Sequence, residues 1–423
     1  MDYSMYVCPK CNRKFKVKGT GKKIKCTKCK DVYLVSKTFS FLHLADLHLG
    51  RYLCDMDLID DQRYILSRII KMIEDREVDA VVVAGDVYDR AVPSEAAVRL
   101  MDDFLNKLVE LKVKTFIISG NHDSEERIGY GSALFKSNKI FISSRYEGRL
   151  YKQTVTDCYG EVDIYLLPYV KASQVKTFYP DDDITTYEDA VRVILEHANI
   201  DKARRNILVA HQFVVGRMSD PSLAGSESVA THMVGTIEKI SCDLFDDFDY
   251  VALGHIHSPQ RVNRNEIRYA GSPLKYSISE VNNVKSVPLV TMGEKGDTHV
   301  DLIPLEPLRD LRHIKGPMLQ LLRRESIMSP KDYIYVTLTD EEVQNDAMNI
   351  FRQFYPYTLK IDYDNSHTRS IEQSDYDIRI KNKSFDDLVS EFYGMMYGCN
   401  ISSGEMRVIK EVAKEAGVLN EAG

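Results

Sequence analysis

The central part of this chain is predicted to adopt an α/β fold with parallel β-strands, on the basis of three observations. Short runs of apolar, mostly β-branched residues occur five times and have the composition of buried strands. Between the first three runs, apolar residues recur at helical spacing. Because alternating strands and helices form right-handed crossovers, neighbouring strands should be parallel. The five runs are residues 41–45, 80–85, 115–120, 207–210 and 250–254.

Each of the first two connecting segments is expected to be a helix with one apolar face. The apolar positions recur every one or two helical turns, so they lie on one side of the helix and pack against the sheet. They are Leu58, Ile65, Leu66, Ile69, Ile70 and Ile73 in the first helix, and Ala97, Leu100, Phe104, Leu108 and Leu111 in the second.

A side chain that can bind a metal ion follows each of the five strands. Open α/β sheets bind ligands beyond the carboxyl ends of their strands, so we expect these side chains to meet at one edge. Oxygen and imidazole donors without a thiolate suit Mn²⁺, Fe²⁺ or Zn²⁺ in an open coordination geometry. Eight donors are too many for one ion, and the set therefore predicts two metals about 3.5–4 Å apart. The donors are Asp46, His48, Asp86, Asn121, His122, His211, His255 and His257.

The residue types also match the separate tasks of phosphodiester hydrolysis. That reaction needs an activated water, neutralisation of the phosphate charge and a proton for the departing sugar oxygen. Asp86 is the candidate for a carboxylate shared by both ions, because it lies between the other donor groups in the sequence. His122 directly follows the ligand candidate Asn121, and histidine titrates in the right range to act on the leaving group. Asp123 comes next and is expected to orient the His122 imidazole.

Each of these features is weak evidence when it stands alone. A single Asp46-Leu47-His48 sequence is more often a solvated loop or a helix cap, and a Gly-Asp pair after a strand is usually a turn. An isolated His211 would most often be a hydrogen-bonded core residue. Five such features in order, each behind a strand, favour a common site.

The same residues carry a resemblance to a known family. DLHLG at 46–50, GDVYDR at 85–90, GNHD at 120–123, AHQF at 210–213 and GHIH at 254–257 resemble the signatures of the calcineurin-like metallophosphoesterases. Within that superfamily the chain, from residue 39 to its C-terminus, is most similar to the SbcD family of bacterial nuclease subunits. The Gln62-Arg63 pair after the first motif and the segment YAGSP at 269–273 add to this similarity.

The resemblance implies a sandwich of β-sheets flanked by helices, with two Mn²⁺ or similar divalent ions in the active site. It implies 3′→5′ exonuclease activity on double-stranded DNA, and endonuclease activity on single-stranded and hairpin DNA, in repair, recombination and replication. The implied partners are an SbcC-like SMC-family ATPase and a second copy of the chain, as a homodimer within a heterotetramer. One ion is assigned to Asp46, His48, Asp86 and His257, the other to Asp86, Asn121, His211 and His255, and His122 is the catalytic histidine.

Size, charge and hydropathy narrow these expectations. With 423 residues, two to four folding units are expected. Lys and Arg total 56 against 63 for Asp and Glu, and this net charge of −7 leaves open an acidic enzyme that never meets DNA. The chain contains no G-x-x-x-x-G-K-[ST] loop, so ATP dependence would come from the partner. The absence of a long apolar run and of a signal-like N-terminus predicts a cytoplasmic protein without membrane contact.

Four cysteines near the N-terminus are predicted to bind a structural Zn²⁺. Cys8 with Cys11, and Cys26 with Cys29, form two C-x-x-C pairs at zinc-ribbon spacing. A segment this short cannot bury a sufficient core, so a metal would have to fold it. A redox pair or an unstructured leader is the alternative. Basic side chains crowd residues 10–30, and both contact with DNA phosphates and simple solvation are compatible with them.

The C-terminal part is expected to form a small α+β module followed by two helices. The apolar stripe of the first terminal helix either packs on this module or docks on the partner ATPase. That stripe consists of Phe385, Leu388, Val389, Phe392, Tyr393 and Met396. The predicted elements are a helix at 318–324, a strand at 333–339, a helix at 346–354, a strand at 358–363, a polar linker at 365–377, and helices at 385–397 and 404–416.

The predicted domain division has four parts. They are a zinc-ribbon-like segment at 1–38, a nuclease domain at 39–305, a capping domain at 306–365, and a linker with a helix pair for the partner at 366–423. Two alternatives to a nuclease stay open: a metallophosphoesterase acting on a small phosphodiester or a phosphoprotein, and a non-enzymatic scaffold for a DNA-repair ATPase. The additional C-terminal module disfavours the first, and the complete donor set disfavours the second.

Overall fold

The computed structural model describes most of the chain and divides it into two compact units. The described residues are 3–7, 10–11, 13–18, 23–34, 38–217, 219–223, 225, 239–366, 385–397 and 401–415. The first unit comprises Met1–His313, Ser329–Tyr335 and Tyr355–Lys360, and the second comprises Ile314–Met328, Val336–Phe354 and Ile361–Gly423. Among the helices in the described part of the chain, none has the length and apolar character needed to cross a membrane.

Six strands form the first sheet, and four of them are parallel. The helices Ile59–Arg76 and Glu95–Glu110 cover one face, with most of the predicted apolar positions buried against the sheet. The α/β prediction is confirmed, because strands and helices alternate as the apolar pattern indicates. In spatial order the strands are Ile140–Ser143, Lys114–Ile118, Ala80–Ala84, Phe39–Leu44, Ser286–Met292 and Thr298–Pro304, and each of the last two is antiparallel to the strand before it.

The second sheet also has six strands, and helices Ala172–Lys176 and Tyr187–His197 pack on one face. The expectation that all five strand ends share one sheet edge is wrong, because runs 207–210 and 250–254 belong to this second sheet. Chain order alone does not separate one sheet from two, since the strands are parallel in either case. In spatial order the strands are Tyr151–Asp157, Gly160–Leu167, Arg205–His211, Tyr250–Gly254, Arg264–Tyr269 and Gln260–Val262.

The two sheets pack face to face around a shared apolar core, as the family resemblance implied. In strand Ala80–Ala84, the side chains of Ala80, Val82 and Ala84 belong to this core, while Val81 and Val83 pack on the helix side. All five are buried, which explains why the strand has a continuous apolar sequence. Phe41, Phe116, Ile164, Ile207, Val209 and Tyr250 also belong to the core between the sheets.

The C-terminal part contains a third sheet, with strands Leu311–Gly316, Tyr333–Leu338 and Thr358–Tyr363. The helix expected at 318–324 is shorter: it covers Met318–Leu321, and a 3₁₀ turn follows at Arg324–Ser326. Of the predicted linker at 365–377, only residues 365 and 366 are described. The helices Ala347–Phe354, Phe385–Tyr397 and Ser403–Glu415 agree with the prediction to within one residue at each end.

The remaining described elements are short. Strand Tyr3–Val7 pairs with Lys14–Lys18, Lys23–Lys25 with Val32–Leu34, Tyr52–Leu53 with Met56–Asp57, and Val214–Val215 with Ile240–Ser241. Helices Glu125–Gly129 and Ser132–Phe135 and 3₁₀ turns Lys136–Asn138, Cys242–Phe245 and Ile278–Glu280 complete the set.

Candidate metal centre

Carboxyl ends of strands from both sheets meet at a series of sharp turns. Asp46, His48, Asp86 and His255 have positive φ angles of 51°, 42°, 48° and 99°. Such angles are uncommon for residues with a side chain, and they persist mainly where the surroundings fix a functional turn. The turns also brace one another: the N–H groups of Asp46 and His48 donate to the carbonyl oxygens of Gly85 and Asp86, at 3.1 and 3.0 Å.

Two glycines allow the ends of the two sheets to approach closely. A Cβ atom at Gly254 would overlap the carbonyl oxygen of Ala84 in the other sheet, and one at Gly85 would overlap the ring of His211. Only a residue without a side chain fits at these two positions. The glycines in the second and fifth motifs therefore bring ligands from separate sheets within a few ångströms of one another.

Asp46, His48 and His257 form the first group of potential ligands, and all three are buried. Their donor atoms lie within 4.8 Å of one another, and the Nε2 atoms of His48 and His257 are 3.1 Å apart. Two donors that each bind one ion at about 2.1 Å are roughly 3.0–3.4 Å apart in octahedral or tetrahedral geometry. The Oδ2 atom of Asp46 is buried without a hydrogen-bond partner, as expected for an atom that takes a cation. These residues fit a divalent ion.

Asp86, Asn121, His211 and His255 form the second group. The Oδ1 atom of Asn121 lies 3.0 Å from Nε2 of His211 and 3.1 Å from Nδ1 of His255. The Oδ2 atom of Asp86 is 3.4 Å from Nε2 of His211 and 3.5 Å from Nε2 of His48 in the first group. One carboxylate oxygen therefore faces both groups, which is the placement expected for a shared ligand.

The surroundings of His211 select the nitrogen that can bind an ion. Its Nδ1–H donates to the carbonyl oxygen of Ala84 at 2.8 Å. In the neutral imidazole the lone pair is then on Nε2, the atom that faces Asp86 and Asn121. The backbone of one sheet thus fixes the tautomer of a ligand from the other.

Burial and neighbouring charges shift the pKa values of this cluster in different directions. Burial disfavours the His211 imidazolium, but the charge of Asp86 and its hydrogen bond outweigh burial and raise the pKa of His211 to about 9. Burial, together with the charge of His211, lowers the pKa of His255 to about 3. Burial also raises the pKa of Asp46 to about 6. Without cations the carboxylates hold a proton on His211, and a divalent ion would displace it.

Comparison with known proteins agrees with this geometry. A family model described as Calcineurin-like phosphoesterase matches residues 39–259, just over half of the chain. The SbcD subunit of the SbcCD nuclease of Staphylococcus epidermidis is 32% identical over 378 residues, which cover 88% of this chain and 97% of that protein. The chain belongs to the SbcD family of calcineurin-like phosphoesterases. The family resemblance inferred from the motifs is therefore confirmed.

A second family model matches the C-terminal part of the chain, and two solved structures show a distant similarity. A family model described as Type 5 capsule protein repressor C-terminal domain matches residues 307–397. The protein TT1561 of Thermus thermophilus has 12% identity and a TM-score of 0.35, over 63% of this chain and 99% of that one. A dimetal phosphatase from Danio rerio has 12% identity and a TM-score of 0.33, over 64% of this chain and 99% of that one.

His122 lies at the margin of the phosphoesterase centre and is half-buried. Its ring packs edge-on against that of His48, with 5.0 Å between the ring centroids. Its Nδ1 atom lies 3.2 Å from the carbonyl oxygen of Asp89. When Nδ1–H donates to that carbonyl, Nε2 is left for a substrate.

The structure corrects the role expected for Asp123. Its two oxygens accept hydrogen bonds from the backbone N–H groups of Val87, Tyr88 and Gly120, at 3.1, 2.9 and 2.9 Å. The backbone N–H groups of the turn after Asp86 need an acceptor, and the Asp123 carboxylate supplies it. Its oxygens are therefore bound to the backbone and do not orient His122. Burial and the charge of Asp86 raise the pKa of Asp123 to about 7 despite these hydrogen bonds. Asp123 braces this turn, and the Asp89 carbonyl takes the place expected for it.

Glu280 and Lys285 support the site although no sequence pattern singled them out. The Oε1 atom of Glu280 is 3.7 Å from Nδ1 of His257. The Nζ atom of Lys285 donates to Glu280 at 2.5 Å and to the carbonyl oxygen of His257 at 2.9 Å. Burial opposes ionisation of Glu280, but the hydrogen bond with His257 and the charge of Lys285 lower its pKa to about 2. A carboxylate behind a ligating histidine fixes the orientation of the ring.

The described cysteines near the N-terminus also cluster. The Sγ atoms of Cys11, Cys26 and Cys29 lie within 4.8 Å of one another, with Cys11 and Cys26 at 3.6 Å. Thiolates that bind one Zn²⁺ at about 2.3 Å are roughly 3.8 Å apart, so the three cysteines fit a tetrahedral ion. The fourth predicted ligand, Cys8, lies outside the described residues.

Proposed function

We propose that this chain is the nuclease subunit of an SbcCD-like complex and hydrolyses DNA phosphodiester bonds with two divalent ions. The convergence of two ligand groups on Asp86 carries the proposal. The S. epidermidis relative, which is named as part of a nuclease and matches over almost its whole length, supports DNA as the substrate. We assign 3′→5′ exonuclease activity on double-stranded DNA, endonuclease activity on single strands and hairpins, Mn²⁺ as the favoured ion, and a cytoplasmic location.

The residues of the site have separate tasks in this reaction. When bound, the two ions supply Lewis-acid activation of water and of the phosphodiester group. The first ion would be held by Asp46, His48 and His257 and the second by Asn121, His211 and His255, with Asp86 shared. The carbonyl oxygen of Asp89 accepts a hydrogen bond from Nδ1–H of His122, which orients the ring and leaves Nε2 for the substrate. Nε2 of His122 then gives a proton to the departing sugar oxygen.

A small phosphodiester or a phosphoprotein is the second candidate substrate. The net charge of −7 favours it, because a protein that binds DNA by itself usually presents a basic surface. The two candidates differ in the ratio of rates on labelled hairpin DNA and on bis-p-nitrophenyl phosphate. A nuclease prefers the hairpin by orders of magnitude, whereas a small-molecule enzyme does not.

The two terminal helices would dock on an SMC-family ATPase. They are held together by hydrogen bonds of Tyr393 with Glu405, at 2.7 Å, and of Lys410 with Asp386, at 2.5 Å. This pairing makes the helices antiparallel. Phe392 on the first helix and Val408 and Val412 on the second remain 61%, 56% and 58% exposed, and exposed apolar side chains of this kind suit a helical partner.

A second surface supports the homodimer. Val98, Tyr130 and Leu134 are 45%, 82% and 77% exposed. Val98 and Tyr130 line an apolar cavity together with Met101 and Phe135. Exposed apolar residues concentrated around one cavity are typical of a protein–protein interface, and a second copy of this chain is its proposed occupant.

The N-terminal cysteines would hold a structural Zn²⁺. Their sulfur spacing supports this proposal. The hydrogen bond from the backbone of Cys29 lowers the pKa of the Cys26 thiol and favours the thiolate that binds metal. The ion would stabilise the short strands of this segment, because so short a segment cannot bury a sufficient core.

Substitutions in the centre separate metal binding from proton transfer. Asp86→Asn removes the shared carboxylate and should abolish Mn²⁺-dependent cleavage of labelled hairpin DNA. His122→Ala should keep both ions while the chemical step slows by roughly 10²–10⁴. Metal content is measured by mass spectrometry of the elements and cleavage by gel. His299→Ala, at a surface histidine, is the control and should match the wild type. Loss of metal in His122→Ala would make that histidine a ligand and contradict its proposed role.

Charged substitutions test the helix-pair surface. Phe392→Asp combined with Val412→Asp should prevent capture of the ATPase from cells, because both replace exposed apolar contacts with charge. The captured proteins are identified by mass spectrometry, and nuclease activity is compared with and without ATP. Leu319→Asp, at a position 83% exposed outside the helix pair, is the matched control. Equal capture by all variants would place the ATPase contact elsewhere.

Charged substitutions also test whether the surface around Tyr130 and Leu134 is a homodimer interface. Leu134→Asp with Tyr130→Asp should halve the molar mass measured by light scattering, because charge would be buried at the interface. Val343→Asp, at a position 72% exposed, should leave the mass unchanged. A wild-type protein that has the mass of one copy at every concentration tested would refute the dimer.

The zinc proposal predicts one additional ion per chain. Cys26→Ser should lose this zinc and lower the unfolding temperature of the N-terminal segment, while the metal content of the phosphoesterase centre stays the same. Cys158→Ser, at an exposed cysteine, should have no effect on zinc content. Wild-type protein purified without chelators that contains no zinc would overturn the proposal.

A further inference from the structure

The turn at residues 46–50 has to be held in an unusual shape. It carries Asp46 and His48, two of the three donors of the first group. Its φ angles are 51° at Asp46, 42° at His48 and 86° at Gly50, all in the left-handed region. Left-handed residues with side chains are individually unfavourable, so contacts outside the turn must fix it.

Gln62, in the first turn of helix Ile59–Arg76, contacts both sides of this segment. Its Oε1 atom accepts a hydrogen bond from the N–H of Gly50 at 2.9 Å. Its Nε2 atom donates to the carbonyl oxygen of His48 at 2.7 Å and also lies 3.3 Å from that of Leu47. The side chain is 1% exposed. A primary amide is the side chain that can both accept and donate in this way, and glutamine has the reach.

Tyr276 meets the same turn from another segment. Its hydroxyl donates to the carbonyl oxygen of Leu47 at 2.5 Å, and it lies 3.3 Å from Nε2 of Gln62. Its ring packs edge-on against the rings of His48 and His257, with centroid distances of 5.7 and 6.0 Å. Tyr276 therefore joins the turn to the histidine that completes the first ligand group.

The residue before Gln62 fixes the start of this helix. Asp61 is buried and accepts two hydrogen bonds from Nε and Nη2 of Arg309 and one from the hydroxyl of Tyr333, the last at 2.8 Å. The guanidinium of Arg309 also lies over the ring of Tyr357, 4.7 Å from its centroid. The backbone that presents Gln62 to the turn is thus itself anchored.

We propose that Gln62 and Tyr276 are positioning residues that shape the turn at 46–50 so that Asp46 and His48 can bind the first ion. The inference rests on the proposed two-ion function. Both residues act through the backbone, because their hydrogen bonds to the turn involve the N–H and carbonyl groups of Leu47, His48 and Gly50. The second ligand group has its own support from the Ala84 carbonyl, and it should not depend on Gln62.

A purely structural role for Gln62 and Tyr276 makes a different prediction. Buried hydrogen bonds stabilise a fold wherever they occur, so their loss would lower the unfolding temperature without selecting one metal site. A positioning role lowers the affinity for one ion and spares the other. The affinities of the two ions, measured separately, distinguish these roles.

The experiment titrates the full-length, metal-free protein with Mn²⁺ alone and follows free and bound ion by electron paramagnetic resonance. Gln62→Met removes the contacts of the amide oxygen and of the amide nitrogen at similar volume, and Tyr276→Phe removes only the hydroxyl. His48→Ala identifies the signal of the first ion by removing it. Tyr250→Phe and Asn206→Ala remove buried polar contacts away from the turn and serve as matched controls. Unfolding temperatures are recorded for every variant.

The wild type should bind two Mn²⁺ ions. Gln62→Met and Tyr276→Phe should weaken the ion that His48→Ala removes by about 10–100-fold and leave the other affinity unchanged. The two controls should lower the unfolding temperature without changing either affinity. Equal weakening of both ions, or unchanged affinities with a lower unfolding temperature, would overturn the positioning role while two-ion binding stands. A wild type that binds no Mn²⁺ would instead overturn the two-ion function and this inference with it.

Discussion

Two buried carboxylates among four buried imidazoles are the constraint on which this site depends. Asp46 and Asp86 are almost completely removed from solvent, and one oxygen of Asp46 has no hydrogen-bond partner. An uncompensated buried charge costs on the order of several kcal/mol. The pKa of His211 is raised and that of His255 is lowered. In the absence of ions, a proton on His211 therefore compensates part of the carboxylate charge. Two divalent ions would satisfy the carboxylates and the neutral imidazoles together, and the fold provides the space between them.

The sandwich makes this concentration of ligands possible. Each sheet presents strand ends at the same side, and the Gly254 backbone approaches Ala84 where a larger residue would overlap it. The left-handed turns at Asp46 and Asp86 store strain. Hydrogen bonds between the two turns, and those that Asp123 accepts from Val87 and Tyr88, offset this strain. Rigid surroundings therefore set the donor positions, and an ion that enters has little backbone to rearrange. This preorganisation is what a metal centre for catalysis requires.

The sequence predicts which potential ligands meet at this site better than it predicts the residues that support them. Asp86 and His211 could be found because each follows an apolar strand, and strand ends of an α/β fold gather at one side. The division into two sheets could not be predicted, because parallel strands have the same apolar pattern whether they form one sheet or two. Gln62 adds to the family similarity, but the sequence shows no role for it or for Glu280, because only tertiary contacts bring Gln62 to His48 and Glu280 to His257. The role of Asp123 also depends on tertiary contacts. Its place beside His122 in the chain does not reveal that its carboxylate accepts hydrogen bonds from backbone amides.

The charge of the centre also indicates the order in which ions and substrate would bind in the proposed reaction. With a net charge of −7 and with Asp46 and Asp86 at its heart, the metal-free protein would repel a phosphodiester backbone. Two divalent cations, when bound, would outweigh these two carboxylates and reverse the sign of the local field. Attraction of DNA to the centre then depends on the ions being bound first, because no lysine or arginine is among the donors that face them. His122 is half-buried beside His48, whereas the proposed ligands Asp46, His48, Asp86, His211, His255 and His257 are buried, so its imidazole is the more accessible to a substrate. In the proposed reaction the ions would therefore bind before the substrate, and His122 would transfer its proton at the margin of the centre.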